Sequence, residues 1–156
     1  MQITPGTLLK SVASSQPDYF DGAIVLVVER NADGTIGVVV NRQYGRQLTD
    51  LEAFKQAQKI GLYEGGPMQQ DHLYFIHRIA DDIVGSASVN TAIHFGGNIK
   101  QALSLIRQGK SALKDIKIFV GYCGWDNGQL ESEVGDGAWD IVEMSDDVVF
   151  FDFRFG

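Results

Sequence analysis

One cysteine, Cys123, in 156 residues leaves no internal disulfide, so the fold must rest on its own core. That usage suits a reducing compartment and predicts a cytoplasmic protein. No uncharged apolar run approaches the roughly 20 residues of a membrane span, and no membrane partner is expected. Residues 1–16 carry Lys10 inside their only apolar stretch and lack a small-residue cleavage pattern, which argues against a signal peptide. Linkers, repeats and low-complexity tracts are missing too. With 44% hydrophobic and 21% charged residues, the composition is that of an ordinary globular chain. A single domain over residues 1–156 is therefore predicted, large enough for a core without staples.

Basic residues are scarce where the chain is most distinctive. Residues 1–117 carry twelve basic and eleven acidic side chains, for +1; residues 118–156 carry Arg154 alone against nine carboxylates, for −8. Such a segment repels a phosphate backbone, so no direct nucleic-acid contact is expected. A solvated acidic face explains the carboxylates better than a cation site does.

What is present is a strand-rich pattern. Residues 23–28 and 36–40 are β-branched runs separated by Asn31-Ala32-Asp33-Gly34, which predicts a hairpin. The runs do not alternate cleanly, so both faces should be covered, with helices as the expected cover. Thr49-Asp50-Leu51-Glu52 reads as a capping box opening a helix that buries Leu51, Phe54 and Ala57 and stops at Gly61. A second helix is predicted from Asn98 to about Gln108, with Ile99, Ala102, Leu103 and Ile106 inward and Gly109 as the stop. Strands are read at 72–77, 83–89, 116–120, 139–144 and 148–153. They come in hairpin-like pairs rather than βαβ units. The predicted fold is α+β, a single domain with a mixed, largely antiparallel sheet, barrel-like closure being one option, covered by two to three helices.

The densest chemistry follows Ile116-Lys117-Ile118-Phe119-Val120. Here Gly121-Tyr122-Cys123-Gly124-Trp125-Asp126-Asn127-Gly128-Gln129-Leu130-Glu131-Ser132-Glu133 leads to Gly137-Ala138-Trp139. A strand running into a shaped loop and a short helix is a common place for a site. Asp126 or Asn127 could cap that helix, leaving first-turn amides for an anion. Gly124 and Gly128 would admit a ligand close to the backbone. Trp125 and Tyr122 offer flat apolar contact, and Gln129 both donors and acceptors. Packing is the competing explanation, favoured somewhat for Trp125 and Trp139 and evenly balanced for Gln129. Glu131 and Glu133, two apart, point to opposite sides of a helix and cannot pair as acid and base. Cys123, alternating with Tyr122, reads as core-facing and a weak candidate nucleophile. His72, His77 and His94 lack metal-ligand spacing, so no metal is expected. No phosphate loop, nucleophile elbow or zinc-protease motif occurs, and no cofactor is expected.

These residues resemble the YqgE/AlgH family of bacterial proteins, also called the UPF0301 group, which has no assigned biochemical activity. The resemblance covers Gly6 to Phe153. It rests most on Gly121, Tyr122, Gly124, Trp125, Gly128, Gln129, Leu130, Glu131, Glu133, Gly137 and Trp139, with two earlier blocks in order: Gly37 with Asn41-Arg42, and Gly65-Gly66-Pro67 with Leu73 and His77. Ala13, Gly22-Ala23 and Arg30 depart from the usual proline, Arg-Ser and His. From these blocks the candidate ligand-binding set is Asn41, Gly65, Gly66, Pro67, His77, Tyr122, Gly124, Trp125, Gly128, Gln129 and Glu131, with no catalytic residue assigned. Three functions follow in order: a non-enzymatic small-ligand or protein-binding and regulatory protein with its site at 121–133; a transcriptional regulator, as the AlgH name suggests, acting without direct DNA contact; and a small-molecule enzyme using Glu131 or His77 for proton transfer.

Overall fold

The computed structural model describes residues 3–12, 18–79 and 82–153. Ten strands form one mixed sheet: β1 (Leu8–Ser11), β2 (Ile24–Asn31), β3 (Gly34–Val39), β4 (Gln43–Gln47), β5 (Gly61–Glu64), β6 (Met68–His77), β7 (Ala87–Ser88), β8 (His94–Phe95), β9 (Ile116–Asp126) and β10 (Trp139–Val142). Three helices accompany them: α1 (Ile99–Arg107), α2 (Gln129–Gly135) and α3 (Asp146–Phe150). The main path runs β10-β1-β2-β3-β9-β6-β8-β7, with β4 on β5 and β5 on β9. Every pairing is antiparallel except β5 with β9. The fold is α+β with a largely antiparallel sheet; that sheet stays open and does not close into a barrel.

The expected hairpin is β2–β3, where Asn31 Oδ1 accepts from Asp33 N at 2.8 Å and folds the turn onto itself. Both faces of β2 are buried, as its unbroken apolar run implied. Leu26 and Val28 pack with Ile76, Phe119 and Val149; Val25 and Val27 pack with Cys123, Trp125, Leu130 and Trp139. Much of this cover is the sheet curling on itself, with α2 and α3 adding only Leu130 and Val149 to the two buried sets. The predicted helix at 98–108 is α1, capped by Asn98 Oδ1 accepting from Gln101 N at 3.0 Å. It buries Ala102, Leu103 and Ile106 against β6 and β9.

Three local expectations fail. In place of the helix predicted at 49–61 stand two 3₁₀ turns, Leu48–Asp50 and Glu52–Phe54, because Leu51 is extended (φ −91°, ψ 135°) and interrupts any helix. The cap closes earlier than read, with Gln47 N donating to Asp50 Oδ2, and Gly61 opens β5 rather than ending a helix. Residues 146–150 are α3 rather than a strand: Ser145 Oγ accepts from Val148 N, and Asp146 and Asp147 sit in the first turn. That start signal outweighs the β-branched run behind it. The segment 83–89 yields only β7, since Gly85 (φ 80°) turns the chain before it.

β9 organises the site. Its first half pairs with β6, its last four residues pair with β3, and β5 joins it in parallel at Phe119 and Val120. Because β5 and β6 occupy opposite edges of β9 at those residues, Gly65-Gly66-Pro67 must cross over the β9 backbone between them. A Cβ on Gly66 would lie 2.1 Å from Tyr122 C, one on Gly65 2.4 Å from the Gly121 carbonyl oxygen, and one on Gly121 2.4 Å from that of Gly66. The crossing is backbone against backbone, and only glycine fits. Gly121 (φ 73°) also resets the alternation of β9. Before it, Ile118 and Val120 face the α1 core; after it, Cys123 and Trp125 face the α2 core.

Candidate functional site

On the α2 side of β9, Trp125 and Trp139 are buried at 5% and 4% exposure, with ring centroids 6.1 Å apart. Phe20 closes the cluster, 6.1 Å from Trp125 and 5.4 Å from Trp139. Both indoles donate to one oxygen: Trp125 Nε1 reaches Glu133 Oε1 at 3.2 Å and Trp139 Nε1 at 3.0 Å. Gln129 Nε2 donates to the other oxygen, Oε2, at 3.1 Å, while Gln129 Oε1 accepts from Asp126 N at 2.9 Å. Gln129 therefore ties the strand end to the helix, and neither Asp126 nor Asn127 caps it. The N-cap itself is Gly128 (φ 84°), which makes no side-chain cap bond, and α2 is only seven residues long.

Glu131 and Glu133 diverge as their spacing required. Glu131 is ion-paired with Arg30 Nη1, which also donates to the Ile3 carbonyl at 2.6 Å. Partial burial works against the Glu131 carboxylate, but its backbone amide and Arg30 outweigh it and hold its pKa below the usual carboxylate value.

The opposite face of the same strand is open. Tyr122 and Gly124 share it with Ile36 and the half-exposed Met68, forming a groove of about 370 Å³ rimmed by Asp33 and Asp126. Gly124 is its floor. Unlike Gly34, Gly37, Gly65, Gly66 and Gly121, it sits where a Cβ would touch only the Tyr122 ring, at 3.4 Å.

The other expected residues lie apart. Asn41 holds the start of β2, accepting from Ile24 N at 2.9 Å and donating to the Gly22 carbonyl at 3.0 Å. Gly65 lies in the fork between β3 and β9, donating to Val120 O and accepting from Val39 N, both at 2.8 Å. Cys123 Sγ contacts the Gly65 carbonyl at 3.2 Å. Burial pushes that thiol up to about 12, leaving it protonated at neutral pH. His77 pairs with Ile116, so the full length of β9 separates it from Asp126. It is buried, accepts from Ile79 N at Nδ1 and therefore donates from Nε2 to Ser86 Oγ at 2.9 Å. Burial, with His94 stacked at 5.2 Å, lowers its pKa to about 4. Among the described residues no group of three or more potential metal ligands is assembled and no helix is long and apolar enough to cross a membrane.

The AlgH-like family model matches residues 8–153, which spans the crossing, the fork and the indole clamp. The chain belongs to the AlgH-like family. A UPF0301 protein of Chlorobium chlorochromatii is 32% identical over 152 residues, covering 97% of this chain and 80% of that protein. One from Bacteroides thetaiotaomicron is 30% identical over 135 residues, covering 86% and 68%. The solution structure of the AlgH protein from Pseudomonas aeruginosa superposes with a TM-score of 0.72 at 28% identity, covering 97% of this chain and 85% of that one. A crystal structure from Corynebacterium diphtheriae shares the fold with a TM-score of 0.79 at 19% identity, covering 97% and 81%.

Within this AlgH-like chain several important residues escaped the sequence reading. Lys117, on β9, is 4% exposed and donates to the carbonyls of Val40 (2.7 Å), Val149 (2.8 Å) and Phe151 (3.0 Å), fixing α3 to the sheet. Its Nζ also lies 4.2 Å from the Tyr63 ring centroid. The available signal was a lone charge inside an apolar strand run. Tyr19 donates to Glu64 and lies under the Arg42 guanidinium, 4.8 Å from its ring centroid. Burial and the Glu64 carboxylate raise the Tyr19 pKa, so the hydroxyl keeps its proton. Nothing local in the sequence links those three residues.

Proposed function

We propose that this AlgH-like chain is a non-enzymatic binding protein whose ligand, or partner side chain, lies in the groove over Gly124. The observation that carries this reading is Gly124 itself. A glycine inside a strand sacrifices packing and backbone entropy, and here no steric contact requires it. Its effect is to keep a flat floor between Tyr122, Ile36 and Met68, suited to a flat, largely apolar group. The groups capable of chemistry nearby support binding over catalysis. Glu133 serves two indoles and Gln129, Glu131 is paired with Arg30, and the Cys123 thiol stays protonated. His77 is a full strand away.

An amide and indole chemical-shift titration against pooled metabolites, nucleotides, anions and divalent metals tests this. Shifts centred on residues 122–126 and Met68 support the reading; binding that maps elsewhere, or silence across the pool, overturns it. Regulation through a protein partner is the second reading, favoured by the cation-free acidic run from residue 118 to 153. It predicts no mobility shift of DNA even at low salt, where phosphate contacts are strongest.

A further inference from the structure

Among the described residues β10 is an outer strand of the sheet, paired only with β1. The register decides which of its backbone groups face outward. Val12 N donates to Ala138 O at 3.0 Å, and Lys10 lies opposite Asp140, so residues 138, 140 and 142 turn their amides and carbonyls to β1. Trp139 and Ile141 therefore turn theirs away from the sheet, and no other described residue hydrogen-bonds them; Trp139 is buried, so Ile141 presents the accessible pair. Between these outward groups the side chain of Ile141 is 47% exposed. An open edge with an exposed apolar residue is a template for another strand.

The charge around this edge selects the strand. Asp140 is exposed on one face. On the other face, at the start of β10, a depression of about 290 Å³ is lined by Asp18, Asp21, Glu133 and Asp136 beside Phe20 and Trp139. Lys10, across from Asp140, is the one basic residue in the β1–β10 register. We propose that β10 is a docking edge for an extended, basic segment of another protein, which adds as an eleventh strand. Its backbone bonds to Ile141, an apolar side chain rests beside Ile141, and the lysines or arginines that alternate with it share the face of Asp140, with the acidic depression adding longer-range attraction. A second copy of this chain would bring carboxylates to carboxylates, and charge disfavours it. This surface lies on the far side of β1–β3 from the Gly124 groove and stands independently of it.

The test uses an acetylated, amidated hexapeptide of alternating lysine and valine, titrated into the whole chain by amide chemical shifts and hydrogen exchange. Slowed exchange at the Ile141 amide is expected, with affinity falling as salt rises. An alternating glutamate–valine peptide, and a lysine–valine peptide N-methylated on its pairing edge, should each bind at least tenfold more weakly. Ile141→Pro removes an outward amide without touching the β1 ladder and should weaken binding by at least tenfold. If that variant does not fold, the N-methylated peptide still decides. Equal binding of the N-methylated or acidic peptide, shifts that map off β10, or no binding at about 1 mM overturns the proposal. So does slowed exchange of the same amide with protein concentration alone, which would assign the edge to self-pairing.

Discussion

Glu133 Oε1 accepts the indole N–H of Trp139 at 3.0 Å, and the same oxygen takes that of Trp125 at 3.2 Å. One carboxylate thus joins α2 to two strands, β9 and β10. Glu133→Ala leaves two buried indole donors without an acceptor and should lower stability by about 1–3 kcal/mol. Glu133→Gln keeps an amide oxygen there and should cost less than half as much. Urea unfolding followed by tryptophan fluorescence measures both.

Glycines of the AlgH-like blocks should divide by backbone contact. Gly66→Ala places a methyl 2.1 Å from Tyr122 C and should destabilise by roughly 3 kcal/mol or more, or prevent folding. Gly124→Ala meets no such obstacle. It should stabilise by about 0.4–1 kcal/mol through the unfolded chain. Thermal unfolding of the pair checks the contrast.

Acid should weaken the fold through His77. Its folded pKa, about 4, lies below the ordinary 6.5, so the unfolded chain binds the proton more readily between those values. Stability is therefore fully present above about pH 6.5 and is lost as pH falls towards 4, by at most roughly 1.4 kcal/mol per pH unit. His77→Gln should remove that part of the slope. Urea midpoints at a series of pH values, wild type against variant, provide the comparison.

Lys117→Met deprives the carbonyls of Val40, Val149 and Phe151 of their ammonium donor. A loss of roughly 3 kcal/mol or more is expected. It should be focused on α3, whose amides should exchange faster than those of α1.

Much of the architecture was legible where local signals agreed. The β2–β3 hairpin had both its turn residues and its β-branched runs, and α1 had Asn98, a 3.6-residue apolar spacing and Gly109. The segment at 49–61 misled because its capping pattern was sound locally while the core drew Leu48 and Leu51 inward and left Leu51 extended between two 3₁₀ turns. At 146–150 the opposite happened: a strand-like composition hid a Ser-Asp-Asp helix start. The candidate site was legible as a segment but not as a geometry. Spacing separated Glu131 from Glu133 correctly, and alternation placed Cys123 inside. No spacing rule could show that Gly65-Gly66 crosses Gly121, that Arg30 meets Glu131 across a hundred residues, or that His77 lies at the far end of β9. Those are long-range pairings, visible only once the strands are in register.

The most direct test of the binding account is the chemical-shift titration run in parallel on the wild type and on Gly124→Val, which fills the groove floor. The account predicts a wild-type ligand that perturbs residues 122–126 and Met68, and a folded Gly124→Val protein in which that response is lost. A ligand that binds both proteins equally, or that maps to Gly128 and the start of α2, would contradict it.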